Sequence, residues 1–172
     1  MSYISLFATL IAVSGYIMIP LPFSTVPVTA QTLAVMLAGS LLPIGHAAAG
    51  VLVFLMMGAV GLPVFSGGTA GLGIIVGKTG GYLIGFLAGA AVISLLKGKR
   101  PGFLRLLTAN AIGGIVVVYI FGVLWLNLVT GIGISKAIVF GALPFIPGDI
   151  VKIFVAAFIS GKLSRHISIG KS

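Results

Sequence analysis

Residues 106–126 read LLTANAIGGIVVVYIFGVLWL, with no charged side chain and almost no polar one. A helix that crosses the hydrocarbon core of a bilayer takes about 20 residues, and this run has that length. It is apolar at every position rather than alternating. That argues for a membrane helix and against a strand of a β-barrel, whose residues alternate between lipid and lumen. The rest of the chain has the same character. Hydrophobic residues make up 59% and charged residues 6% of the 172 positions, where soluble domains carry about 25% charged residues. The mean hydropathy is +1.32. A soluble protein of this size needs a polar shell, which ten Lys and Arg and one acid cannot supply. Disorder is excluded by the same hydrophobicity.

The sequence therefore predicts an all-α integral membrane protein, a single transmembrane domain over 1–172. Six spans would use about 120 residues and leave about 50 for connections. The breaks set by Pro and Gly place them at about 2–19, 29–42, 46–61, 81–96, 106–126 and 147–163. A short helix near 135–142 is a further candidate. The first charged residue is Lys78, so the N-terminus lacks the basic region of a signal peptide and reads as a retained helix.

The basic residues give an orientation. Lys97, Lys99, Arg100 and Arg105 fall between the fourth and fifth spans; Lys162, Arg165 and Lys171 fall at the C-terminus. With six spans these seven of the ten bases share one face with the N-terminus, and the positive-inside rule makes that face, and both termini, cytoplasmic. The expected location is the cell (plasma) membrane, multi-pass. The basic clusters need no nucleic-acid partner. On this layout Trp125 is an interfacial anchor near the outer end of its span.

The three outer connections, 20–28, 62–80 and 127–146, are long, rich in Gly and Pro, and apolar. Irregular backbone at membrane depth survives where it packs in protein or lines a cavity, so these connections predict a capped cavity at the outer face. Asp149, the one acid, falls in the first turn of the last span, where the helix dipole favours an anion. Lys152 lies on the same helical face, at i+3. The two form either a structural ion pair or the polar lining of a ligand pocket, and the readings are compatible. Thr29 and Gln31 open the second span, where each could cap the helix or bind ligand. Phe23, Phe65 and Tyr82 could wall a ring-shaped ligand or anchor at the interface. Lys78 is either a base near an acidic ligand or a snorkelling lysine; Lys136 reads as the latter. Gly77-Lys78-Thr79 resembles the end of a phosphate-binding loop, but position 72 is Leu and no strand precedes it. With no Cys and one acid, neither a metal site nor a cofactor is expected. His46 and Ser66 fall on opposite sides, which leaves no hydrolase and no enzyme. Ala8 and Ala12 form a small-xxx-small pair, suited to packing inside the bundle or to docking on a second membrane protein.

Four segments together resemble the BioY family, the biotin-binding S component of energy-coupling-factor (ECF) transporters. They are Val26-Pro27-Val28-Thr29-Ala30-Gln31-Thr32, Gly58-Ala59-Val60-Gly61-Leu62-Pro63-Val64-Phe65, Thr79-Gly80-Gly81-Tyr82-Leu83, and Pro144-Phe145-Ile146-Pro147-Gly148-Asp149 with Lys152. The resemblance implies a six-helix bundle that binds biotin beneath the outer loops. It makes Asp149 and Lys152 ligand contacts, with the segments at Thr29–Gln31 and Thr79–Tyr82 nearby. The partners it implies are a transmembrane coupling subunit, faced by Ala8 and Ala12, and two ATPase subunits. Lys78 departs from the family pattern, which often has Pro there. Other readings are an S component for another small vitamin, a solitary transporter, and a structural membrane protein without a ligand. An apolar pocket with one carboxylate and an ammonium group suits several small vitamins.

Overall fold

The computed structural model describes residues 2–22, 24, 26–99 and 101–164. Its elements are almost all helical. The expected helix over 2–19 stops early: α1 is Ser2–Ser14. Its last turn tightens through Gly15 N donating to Ala12 O, Tyr16 N to Val13 O and Ile17 N to Ser14 O. The chain then enters a short strand, β1 (Met18–Ile19), antiparallel to β2 (Val28–Thr29), with Met18 opposite Thr29. The first connection is thus a β-ribbon, a correction to the all-helical expectation. Gly15 lets the helix that begins at Gln31 and the 62–80 connection approach this turn closely, since a side chain there would lie 2.8 Å from Gln31 Nε2 and 3.1 Å from Val64 O.

Next come α2 (Gln31–Leu41) and α3 (Ile44–Ala59), separated at Pro43, whose carbonyl accepts from His46 N and Ala47 N. The connection over 62–80 is not featureless. It holds a 3₁₀ turn at Ser66–Gly68 and a short helix, α4 (Leu72–Val76). The following helices are α5 (Gly80–Lys97), α6 (Phe103–Asn110), α7 (Val118–Thr130), α8 (Ile134–Gly141) and α9 (Ile146–Leu163). A π-helical segment, Ala111–Val117, joins α6 to α7, so the apolar run quoted above belongs to one continuous helix over Phe103–Thr130. Pro147 lies in the first turn of α9, where its missing N–H costs nothing.

By length and apolarity, α5 and the Phe103–Thr130 helix can each cross a membrane alone. The pair α8 and α9, bent by 55°, can make a third span. The outward surfaces are what a lipid solvent selects. On α7, Val118, Gly122 and Leu126 face the core, while Ile120, Leu124 and Leu128 are 52, 51 and 77% exposed. Exposed apolar surface on this scale marks a membrane-facing wall.

Without a hydrophobic drive between helices in lipid, close packing must hold them, and small residues permit it. A glycine stripe on α5 does this. A Cβ at Gly81 would lie 2.2 Å from Trp125 Cβ and 2.4 Å from Phe121 O; at Gly89 it would lie 2.5 Å from Gly113 O. Ala8 and Ala12 pack similarly. They are 1% and 6% exposed, inside the core beside Val51 and Phe54 of α3. Of the two readings of this pair, packing inside the bundle is the one their burial favours, and the docking reading implied by the family resemblance finds no exposed strip at these two residues.

Gly81→Ala is expected to destabilise the bundle by about 1–3 kcal/mol through overpacking, read as a lower thermal midpoint in detergent. Gly73→Ala, where an added methyl meets nothing within 4 Å, should leave that midpoint unchanged.

Candidate functional site

One end of the bundle holds a cavity of about 300 Å³, at the small end of the usual range for ligand pockets, about 300–1,000 Å³. It is sized for a small molecule rather than a peptide. The β-ribbon contributes Met18, Val28 and Thr29, the 62–80 connection Phe65, Ser66 and Thr69, and α5 Tyr82, Leu83 and Phe86. The expected walling by all three connections is only partly met, since Phe145 is the sole lining residue from 127–146.

The polar end of the cavity is built on α9. Asp149 is 2% exposed, yet its carboxylate borders the cavity. Lys152 Nζ lies 2.8 Å from Asp149 Oδ1 and also donates to Thr29 O (2.7 Å) and Thr32 Oγ1 (2.8 Å). Thr32 Oγ1 donates to Asp149 Oδ1 at 3.3 Å, and Tyr119 Oη donates to Asp149 Oδ2 at 2.5 Å. The three protons of the ammonium are therefore all engaged. The carboxylate accepts three bonds and, with about four acceptor positions, keeps room for one more donor. The site presents a neutralised ion pair with one open acceptor position, surrounded by apolar walls.

A second polar group faces the other wall. Gln31, 1% exposed, donates through Nε2 to Val64 O (3.3 Å) and accepts at Oε1 from Ser66 Oγ (3.3 Å). This ties α2 to the 62–80 connection. Phe65 is 1% exposed and meets Phe54 edge-to-face at 5.5 Å.

Of the residues singled out from sequence, Asp149, Lys152, Gln31, Thr29, Tyr82 and Phe65 all line this cavity. Thr29 is not a helix cap: it sits in β2, Ala30 takes the cap position, and the Thr29 carbonyl holds Lys152. The Tyr82 ring lines the cavity, but its hydroxyl donates to Gly141 O at 2.7 Å and anchors α8. Lys78 is exposed and outside the lining, and its neighbour Thr79 lines the cavity instead. The turn that carries Lys78 is pinned by Trp125 Nε1, which donates to Gly77 O at 2.9 Å. Phe23 lies outside the described residues, as do Arg100, Arg165, His166 and Lys171. Among the described residues, no three His, Cys, Asp or Glu come together as a metal site would need.

Sequence reasoning overlooked Tyr119 as a site residue. The signal was present, for Tyr119 is the one hydroxyl-bearing residue over 111–126. Thr32, one position after Gln31, bonds both members of the ion pair, a role its place on α2 does not reveal by itself.

The fold and site together define a class: a helical membrane protein with a small-molecule pocket at one end, walled by its connections. The chain belongs to the BioY family, whose model matches residues 1–169. A biotin transporter BioY of Rhizobium etli is 42% identical over 175 residues, covering 96% of this chain and 91% of its own length. A probable biotin transporter BioY of Bacillus subtilis is 37% identical, covering 98% and 92%. A crystal structure of the S-component for biotin from an ECF-type ABC transporter superposes with a TM-score of 0.89 at 28% identity, covering 95% of this chain and 89% of that one.

Removing one partner of a buried pair leaves an uncompensated charge and costs about 3–5 kcal/mol, while replacing both can be nearly neutral. Lys152→Met should therefore lower thermal stability strongly, and the double variant Asp149→Asn with Lys152→Met should recover most of the loss. Tyr119→Phe should cost about 1–3 kcal/mol by freeing one carboxylate oxygen, measured in the same melt.

Proposed function

We propose that this chain is the substrate-binding subunit of a biotin uptake transporter. It captures biotin in the cavity beside Asp149 and delivers it through an ATP-driven ECF module. The observation that carries the reading is the open acceptor position of a buried, neutralised carboxylate inside an apolar cavity, in a chain of the BioY family. A ureido N–H is a donor that suits that position. The bicyclic ring suits the apolar wall made by Phe65, Leu83, Phe86 and Phe145. On this reading Asp149 accepts from the ligand, and Lys152 fixes the carboxylate and gives up an existing acceptor if it is to touch the ligand. Gln31 and Thr29 supply further polar contacts, while Tyr82 and Phe65 supply ring surface. No chemical step occurs in the chain; binding and release are its task.

The same reading gives six membrane spans, with α1, α2 and α3 completing the set. Both termini are cytoplasmic and the cavity opens outward at the plasma membrane. The charge distribution supports this: Lys97, Lys99, Arg105 and Lys162 all lie where α5 ends, α6 begins and α9 ends, and Asp149 lies at the start of α9. The partners on this reading are a transmembrane coupling subunit and two ATPases, supported by the family and by the likeness to the S-component of an ECF-type transporter.

Calorimetric titration of the purified protein with biotin should give saturable heat at micromolar ligand and a raised thermal midpoint, as a ligand bound only by the folded state stabilises it. Asp149→Asn should weaken binding at least about tenfold, the loss of one charge-assisted hydrogen bond being worth about 1.5–3 kcal/mol. A panel of small vitamins distinguishes the substrate. No response to biotin, with a response to another vitamin, would overturn the assignment while keeping the pocket.

A further inference from the structure

A second concavity, an open groove of about 620 Å³, lies at the opposite end of α9. It runs between the α5–α6 turn and the last turn of α9, and is lined by Lys99, Pro101, Phe103, Phe158, Lys162 and Ser164 among others. Four described basic side chains gather at this end, and they divide into two kinds. Lys97 donates to Leu42 O, and Arg105 Nε donates to Leu96 O at 2.8 Å, so both hold backbone in place. Lys99 and Lys162 are exposed, and among the described residues neither has a hydrogen-bond or ion-pair partner. Lys162 lies 4.6 Å from the centre of the Phe158 ring, which keeps its ammonium over the groove. The chain cannot supply a side-chain anion here, since its only acid is Asp149, already paired with Lys152. In the same groove Phe103 and Phe158 are 45% and 56% exposed, apolar surface suited to acyl chains.

We propose that this groove is a binding site for the headgroup of an anionic phospholipid. Lys99 and Lys162 take the phosphate from two sides, and Phe103 and Phe158 seat the first segments of the acyl chains. The occupant follows from three features together: unpaired cations, an apolar flank continuous with the lipid-facing wall, and a position where helices end, at the level of headgroups. A soluble anion would leave the exposed rings unused. This proposal is independent of what the cavity at the other end binds.

The test is native mass spectrometry of the full chain released from nanodiscs of equal parts phosphatidylglycerol and phosphatidylcholine. Basic residues near an anionic surface each contribute about a fivefold factor. The double variant Lys99→Gln with Lys162→Gln should therefore retain about thirtyfold less phosphatidylglycerol than the wild type. Phosphatidylcholine retention should not change. Lys136→Gln, an exposed lysine on α8 at the cavity end, should behave as wild type. Thermal protection of detergent-purified protein by added phosphatidylglycerol, lost in the double variant, is the second readout. Equal phosphatidylglycerol retention by wild type and double variant, or equal retention of the two lipids by the wild type, would overturn the site. So would the same loss in Lys136→Gln. Protection by glycerol phosphate matching that by the lipid would show a soluble-anion site and overturn the lipid assignment.

Discussion

The structure depends on keeping one carboxylate charged where there is almost no water. Asp149 is buried to 2% exposure, and taking an ion out of water costs several kcal/mol unless it is paired and hydrogen-bonded. The compensation comes from separate parts of the chain: Lys152 one turn along α9, Thr32 on α2 and Tyr119 on α7. Lys152 in turn reaches the Thr29 carbonyl on β2. Four elements must converge for one acid to be tolerable. The network that neutralises the cavity's charge therefore also fixes the relative positions of the elements around it, so site and fold share one interaction.

The remaining packing is of a different kind. Around α5 the helices approach through glycine, and backbone meets backbone at Gly89 and Gly113. Dispersion between closely fitted surfaces dominates there, since lipid tails are as apolar as the side chains and no hydrophobic drive pulls the helices together. The cavity lies between this tightly fitted half and the connections at 15–30 and 62–80. Those connections bury Val26, Val64 and Phe65 in the core and add directed bonds: Tyr16 Oη to Pro63 O at 2.6 Å, Gly67 N to Gly15 O at 2.9 Å, and the Gln31 pair. Both walls of the cavity therefore combine packing with hydrogen bonds, and the second is tied to the first through Gln31.

The described charge is uneven between the two ends of the bundle. At the cavity end the one acid is paired with Lys152 while Lys78 and Lys136 stay exposed; at the other end Lys97, Lys99, Arg105 and Lys162 gather with no acidic side chain among the described residues. Lys97 and Arg105 turn part of that excess inward as helix-end caps on carbonyls, where the helix dipole also favours cations. The rest of the excess is left for the surroundings.

How much could be read without coordinates differs by level. Solvent, helical class and the existence of a pocket came from composition, from apolar connections and from one acid in an apolar helix, because the cost of burying charge or backbone in lipid is local and large. The family resemblance rested on short motifs that keep their order along the chain. Other features are settled by contacts between distant segments. Tyr119, 30 positions from Asp149, gave no local sign of its partner. Ala8 and Ala12 face inward, Lys78 is exposed and outside the cavity lining, and the first connection pairs as a ribbon. Each outcome depends on which neighbour occupies the adjoining space. Sequence alone thus determined that this protein lives in lipid and carries one expensive charge. Only the tertiary structure decided what neutralises that charge and what surrounds it, because hydrogen bonds and packing are properties of distances that the order of residues does not contain.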